Sequence, residues 1–77
     1  MTVHIAEDGC VVLGLETAPG QDDCVRLVRE VLAEAGRDVW EGMELSLFCA
    51  GGKSLLIARP GNSLRISVAP WLAPWLS

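Results

Sequence analysis

The chain has 77 residues, of which 51% are hydrophobic and 21% are charged, and its formal net charge is −4. A chain this short and apolar is expected to form one domain around a single core, which excludes disorder of the chain as a whole. No stretch approaches the roughly 20 consecutive apolar residues of a membrane span. The amino terminus has no basic region followed by an apolar run, so we expect a cytoplasmic protein.

The charges divide unevenly along the chain. Residues 1 to 44 contain all ten acidic residues and three arginines, a net charge of −7. Residues 45 to 77 contain Lys53, Arg59 and Arg65 and no acidic residue, a net charge of +3. Such asymmetry favours complementary contact between copies of the chain or with a partner.

The first 15 residues predict two antiparallel strands. Val3 and Ile5 alternate with polar residues, and a second apolar run occupies residues 10 to 15. Asp8-Gly9 lies between the two runs and is a typical hairpin sequence, because glycine readily adopts the positive φ that such turns need.

The period of the apolar residues then changes to that of a helix, over residues 21 to 35. Asp22 and Asp23 place negative charge at the first turn, where the free N–H groups and the helix dipole favour it. Gly36 follows the last apolar position and predicts a helix end in the left-handed conformation.

Three further strands are predicted over residues 43 to 50, 53 to 59 and 63 to 69. Gly51-Gly52 and Pro60-Gly61-Asn62 separate them, and both sequences are typical of tight turns. We therefore predict an antiparallel meander and the order ββαβββ. The predicted fold is a two-layer α+β sandwich in which one helix packs on an antiparallel sheet, with a single domain over residues 1 to 69.

The pleat of this sheet predicts two apolar faces. A two-residue turn at Gly51-Gly52 places Phe48 opposite Leu55 and Leu47 opposite Leu56. Leu45, Leu47 and Leu56 then share one face, whereas Phe48, Leu55 and Ile57 share the other. One helix covers only one face of a sheet, so the second face needs another cover.

Residues 70 to 77 form an apolar tail in which Pro-Trp-Leu occurs twice. Tryptophans at a chain end need a cover, supplied by the molecule's own sheet, by a second copy or by another protein. Because accessible tryptophans are frequent interface anchors, we predict an interaction surface made of the tail and the second sheet face. Its predicted residues are Trp71, Leu72, Trp75, Leu76, Phe48, Leu55 and Ile57.

Three patterns suggest chemistry, and each has a simpler interpretation. Gly52-Lys53-Ser54 matches the end of a phosphate-binding loop, but Leu47 stands where that motif needs its first glycine and a strand follows where it needs a helix. We interpret it as a hairpin turn with an exposed lysine.

His4, the only histidine, could in principle activate Cys10 or Cys24 as a nucleophile, but no spacing brings them together. Three scattered cysteines with one histidine also give no metal-ligand spacing. We therefore predict no catalytic residue, no metal and no cofactor, and we interpret the cysteines as small core residues, which fits a reducing compartment.

The carboxy-terminal cations with Trp71 and Trp75 could form a basic, aromatic surface for single-stranded nucleic acid. The negative total charge argues against this alternative. A small ligand-binding or enzymatic domain with a site at an oligomer interface is the other alternative.

The apolar pattern of residues 1 to 60 resembles the amino-terminal domain of MecA-type adaptors. The similarity covers the hairpin, the helix ending in Val31-Leu32-Ala33-Glu34-Ala35-Gly36, and the segments Glu44-Leu45-Ser46-Leu47 and Leu55-Leu56-Ile57-Ala58-Arg59. Those bacterial proteins deliver substrates to Clp unfoldase complexes, and their amino-terminal domain engages the substrate. From the sequence we expect no counterpart of their linker and Clp-docking domain, which puts a complete adaptor role in doubt. We expect a non-catalytic, adaptor-like protein interaction module that associates with a protein partner or with itself, as a homodimer or larger homo-oligomer.

Overall fold

A computed structural model of the chain describes residues 1 to 70, and the tail residues 71 to 77 lie outside the described part. One helix packs on a five-stranded sheet, which confirms the predicted α+β class and the order ββαβββ. The strands are β1 (Thr2–Ile5), β2 (Val11–Leu15), β3 (Met43–Ala50), β4 (Lys53–Pro60) and β5 (Leu64–Pro70), and the helix is α1 (Gln21–Glu34). No helix within residues 1 to 70 has the length and apolar character needed to cross a membrane.

Two of the three predicted hairpins are confirmed. β1 pairs antiparallel with β2, and Gly9 in the connecting loop has a φ of 91°. β3 pairs antiparallel with β4 through a two-residue turn in which Gly51 and Gly52 both have positive φ, 57° and 83°. That turn sets the predicted register, in which Phe48 lies opposite Leu55 and Leu47 opposite Leu56.

The helix ends as its sequence predicts. Gly36 has a φ of 71° and donates its N–H to the carbonyl of Ala33, while the N–H of Arg37 reaches the carbonyl of Leu32. This pair of bonds satisfies carbonyls that the last helical turn leaves free. At the other end, Asp22 and Asp23 occupy the first turn.

The core lies between α1 and one face of the sheet. Every second residue of the central strands points into it, as the period of a pleated strand requires. Its buried side chains are Val11, Leu13, Leu15, Cys24, Val28, Val31, Leu32, Met43, Leu45, Leu47, Leu56 and Ala58.

The predicted antiparallel meander is wrong for its last strand. The sheet order is β1-β2-β4-β3-β5, so β5 lies beside β3 and runs parallel to it. The three residues after Pro60 pass the start of β3 instead of turning back beside β4. Their path is fixed at Gly42, whose carbonyl accepts the Gly61 N–H at 3.2 Å.

Candidate functional site

The sheet face turned away from α1, here called the open face, carries the second apolar surface that the sequence predicts. Its centre is formed by four partly exposed side chains that are not part of the core, here called the apolar band: Val12, Phe48, Leu55 and Ile57. The band spans β2, β4 and β3, the three strands at the middle of the sheet.

Strand register places the apolar band in two neighbouring rows. In the first row Ile57 lies between Val12 of β2 and Ser46 of β3. In the second row Leu55 lies between Gly14 and Phe48. Directly opposite side chains on one face lie about 5 Å apart, so the band is a continuous apolar surface.

Gly14 has no side chain to contribute to this surface, and a side chain of β1 occupies the space beside it. A side chain at Gly14 would collide with the hydroxyl of Thr2, its partner in β1. Thr2 therefore occupies the space that a Cβ would take, and the apolar band ends at a polar side chain on this side.

A row of charges crosses one end of the open face. Glu44 of β3 lies opposite Arg59 of β4 and Arg65 of β5, and its carboxylate is 3.4 Å from Nε of Arg59. These side chains, with Ser46 and Ser67, line a depression of about 520 Å³. At the other end of the face, Lys53 lies 3.9 Å from Glu16.

These ion pairs argue against the alternative of a surface that binds single-stranded nucleic acid. Two of the three carboxy-terminal cations lie beside a carboxylate, and the third, Arg65, lies opposite Glu44 in the strand register. A phosphate backbone binds best to a cluster of cations without acidic neighbours. The described part of the chain brings together no such cluster at Lys53, Arg59 and Arg65.

The predicted interaction residues fall into two groups. Phe48, Leu55 and Ile57 lie together in the apolar band, as the pleat predicts. Trp71, Leu72, Trp75 and Leu76 lie outside the described residues. β5 ends at Pro70 beside Cys49 of β3, so the tail begins at one edge of the sheet.

The structure shows no hydrogen bond between His4 and a cysteine among residues 1 to 70. His4 is exposed on the open face of β1, whereas Cys24 is buried on the core side of α1. The side-chain hydrogen bonds among residues 1 to 70 do not involve His4. Among the described residues, neither Cys10 nor Cys24 therefore has His4 as a hydrogen-bond partner.

Electrostatics also favour the neutral thiol at two cysteines. The pKa of Cys24 is raised mainly by burial, and the carboxylate of Asp23 adds to the shift. The pKa of Cys10 is raised mainly by its side-chain contact with Asp8. Asp8 accepts the Cys10 N–H at 3.0 Å, and this bond lowers the pKa of its carboxyl group. A nucleophilic or metal-binding cysteine needs the opposite shift.

The remaining candidate motifs have structural roles. Gly51 and Gly52 form the β3–β4 turn, and Lys53 begins a strand where a phosphate-binding loop would begin a helix. Four surface depressions are lined by described residues alone, and His4 and the cysteines line none of these four. Within residues 1 to 70, no group of three histidine, cysteine or acidic side chains is placed to hold a metal ion.

Sequence reasoning missed a further apolar surface, on β5. Leu64 and Val68 are 56% and 63% exposed on the core side of the sheet edge. Their alternation with Arg65 and Ser67 is visible in the sequence, but alternation alone does not show whether a strand lies in the middle or at the edge of the sheet. Their exposure follows from the position of β5 at the edge.

Comparisons with protein-family models, with curated proteins and with solved structures gave no significant match.

Proposed function

We propose that the protein is a non-catalytic protein interaction module that associates with other copies of itself through the open face and the Pro-Trp-Leu tail. The observation that carries this proposal is the apolar band, which lies on the face opposite the only helix of the described chain. Contiguous apolar surface rimmed by charged residues is typical of protein interaction sites. The band has that character, because the Arg59, Glu44 and Arg65 row borders it on one side.

The tail has the length to take part in this contact. Seven extended residues span up to about 23 Å, and five strands cover about 19 Å from first to last. Pro70, the first residue of the tail, ends β5 at the sheet edge, so the tryptophans that follow are within reach of the apolar band of the same copy or of a neighbouring one. Tryptophan supplies more contact area than other side chains, and prolines reduce the entropy lost when such a segment becomes ordered.

We also propose that the interaction serves an adaptor-like role. The resemblance of residues 1 to 60 to the substrate-engaging domain of MecA-type adaptors supports it. A cytoplasmic location is proposed with it, since Cys10, Cys24 and Cys49 are all free thiols and fit a reducing compartment.

The test is light scattering over a range of concentrations on three variants of the full chain. Trp71→Ala with Trp75→Ala removes the tail anchors, and Leu55→Lys places a charge in the middle of the apolar band. Val39→Lys is the matched control, because Val39 is 47% exposed in the loop before β3. Circular dichroism checks that each variant is folded.

We expect the average molar mass of the wild type to rise with concentration and both test variants to lower it, with no change in the control. Variants that keep the wild-type mass would overturn the proposal. If the double tryptophan variant kept the wild-type mass but lost several kcal/mol of unfolding free energy, we would conclude that the tail packs on the sheet of its own copy.

A further inference from the structure

β5 is an edge strand with two largely uncovered apolar side chains on its core side. It pairs with β3 on one side, and no strand among residues 1 to 70 lies on its other side. Leu64 and Val68 are the two exposed large apolar side chains of this strand, and Ile66 between them is only partly buried. A free edge with apolar side chains readily accepts another strand.

The helix stops short of this edge. A groove of about 130 Å³ remains between α1 and β5, and its apolar walls are Val25, Leu45, Leu64 and Ile66. Asp22 and Gln21 at the start of α1 form its polar rim. A strand added beside β5 would place side chains next to this groove and continue the core of the domain.

We propose that β5 pairs antiparallel with β5 of a second copy, with the two-fold axis at Ile66. In this register Leu64 lies opposite Val68 of the second copy, and Val68 lies opposite its Leu64. The most exposed apolar side chains of β5 then cover one another on the core side. On the open face, Arg65 lies opposite Ser67 of the second copy.

The sequence of β5 selects a second copy as the occupant. Its core-side residues, Leu64, Ile66 and Val68, form an apolar pattern that is symmetric about Ile66, so the strand is complementary to itself. Such self-complementarity is what a two-fold interface requires. A peptide of another protein would need no such symmetry.

Charge and proline select this register over its neighbours. A two-fold axis at Arg65 would place two guanidinium groups opposite each other, which is unfavourable on one sheet face. An axis at Ser67 would place Leu64 opposite Pro70, which has no N–H for the ladder. The axis at Ile66 avoids both and leaves Pro70 beyond the five paired residues.

The pairing goes beyond the proposed function and does not depend on it. Directly opposite residues point to the same side of a sheet, so the two helices lie on one side and the two open faces on the other. The result is a ten-stranded sheet in which both apolar bands face the same direction. Contacts through the open face and through β5 are therefore separate and can coexist.

The first experiment measures association of the full chain by analytical ultracentrifugation. We expect Leu64→Lys with Val68→Lys to weaken the dimer on the order of a hundredfold, because both Leu64–Val68 pairs across the interface are replaced by two lysines opposite each other. The matched control is Val3→Lys with Val39→Lys, two valines that are 49% and 47% exposed away from β5. Thermal unfolding checks that all variants are folded.

The second experiment tests the register by cross-linking. Leu64→Cys and Val68→Cys are mixed under mild oxidation, with each variant alone and the wild type as controls for the native thiols. The mixture is expected to form several-fold more disulfide-linked dimer, because residues 64 and 68 of different copies are opposite each other, whereas two residues 64 lie about 13 Å apart along the strands.

Three results would overturn the β5 pairing: a wild type that stays a single copy at millimolar concentration, lysine variants that associate like the wild type, or a mixture that cross-links no better than its components. The open-face variants distinguish the two proposals. Trp71→Ala with Trp75→Ala leaves the β5 dimer intact, whereas the lysine variants of β5 leave the contact through the apolar band intact.

Discussion

The N–H of Gly61 donates a 3.2 Å hydrogen bond to the carbonyl of Gly42, at the point where the chain passes from β4 to β5. The two backbones are so close that a Cβ at Gly42 would collide with the carbonyl oxygen of Gly61 and lie 3.0 Å from the Ser63 nitrogen. The N–H of Met43 also reaches the carbonyl of Ser63. These contacts hold the crossover that places β5 beside β3.

Gly42→Ala is expected to destabilise this crossover. The methyl group meets backbone atoms that cannot rotate away, so we expect a loss of about 1 to 3 kcal/mol in the free energy of unfolding. Urea denaturation measures it. Gly20→Ala is the control, since a Cβ at Gly20 meets open space, and we expect it to change stability by less than about 0.5 kcal/mol. Equal effects would mean that the crossover tolerates a side chain.

Ser54→Ala is expected to cost about 1 to 3 kcal/mol. Ser54 is 4% exposed, and its hydroxyl donates a 2.5 Å hydrogen bond to the carbonyl of Thr17, which fixes the chain between β2 and α1. Its removal leaves a carbonyl without its partner. Ser46→Ala on the open face is the matched control, with an expected change below about 0.5 kcal/mol in the same denaturation assay.

Arg29→Lys is expected to loosen the loop before β3. The guanidinium of Arg29 donates to the carbonyls of Trp40 at 3.3 Å and Glu41 at 2.8 Å, and a lysine ammonium does not reproduce this planar pair of bonds. We expect a loss of about 1 kcal/mol and faster hydrogen exchange in residues 37 to 42. Arg26→Lys is the control, because its bond to Asp23 is exposed and contributes little.

Leu56→Ala and Leu55→Ala compare the two faces of β4 at neighbouring positions. Leu56 is fully buried under α1, so its truncation is expected to cost about 2 to 5 kcal/mol. Leu55 lies in the partly exposed apolar band, and its truncation is expected to cost less than about 1.5 kcal/mol at low protein concentration. A Leu55 cost as large as that of Leu56 would contradict the assignment of the open face.

The buried thiol of Cys24 is expected to make stability fall at alkaline pH. Burial raises its pKa in the folded state, so the stabilisation is complete below the ordinary thiol pKa and is lost as pH rises through the folded value. Denaturation midpoints across alkaline pH measure this loss, and Cys24→Ala is expected to flatten it. At neutral pH, a thiol reagent should modify Cys10 well before Cys24. A wild-type profile parallel to that of the variant would contradict the prediction.

Much of the fold followed from short stretches of the sequence. The Gly51-Gly52 turn fixed the pairing of β3 with β4, and that register separated Leu56 from Leu55 onto opposite faces. The apolar band was thereby predicted at Phe48, Leu55 and Ile57. The exposure of Leu64 and Val68 was not predicted, because the exposure of a strand residue depends on which other elements pack against that face of the strand.

The sequence by itself determined the helix and its ends, the two hairpins and the two apolar faces, because each depends on residues a few positions apart. Only the tertiary structure decided where β5 lies. A connection as short as residues 61 to 63 is compatible with a return beside β4, and the close approach of Gly42 and Gly61 diverts it past β3 instead. That contact joins residues 19 positions apart in the sequence. It leaves β5 as a free edge, and with it the surface at which we propose that two copies pair.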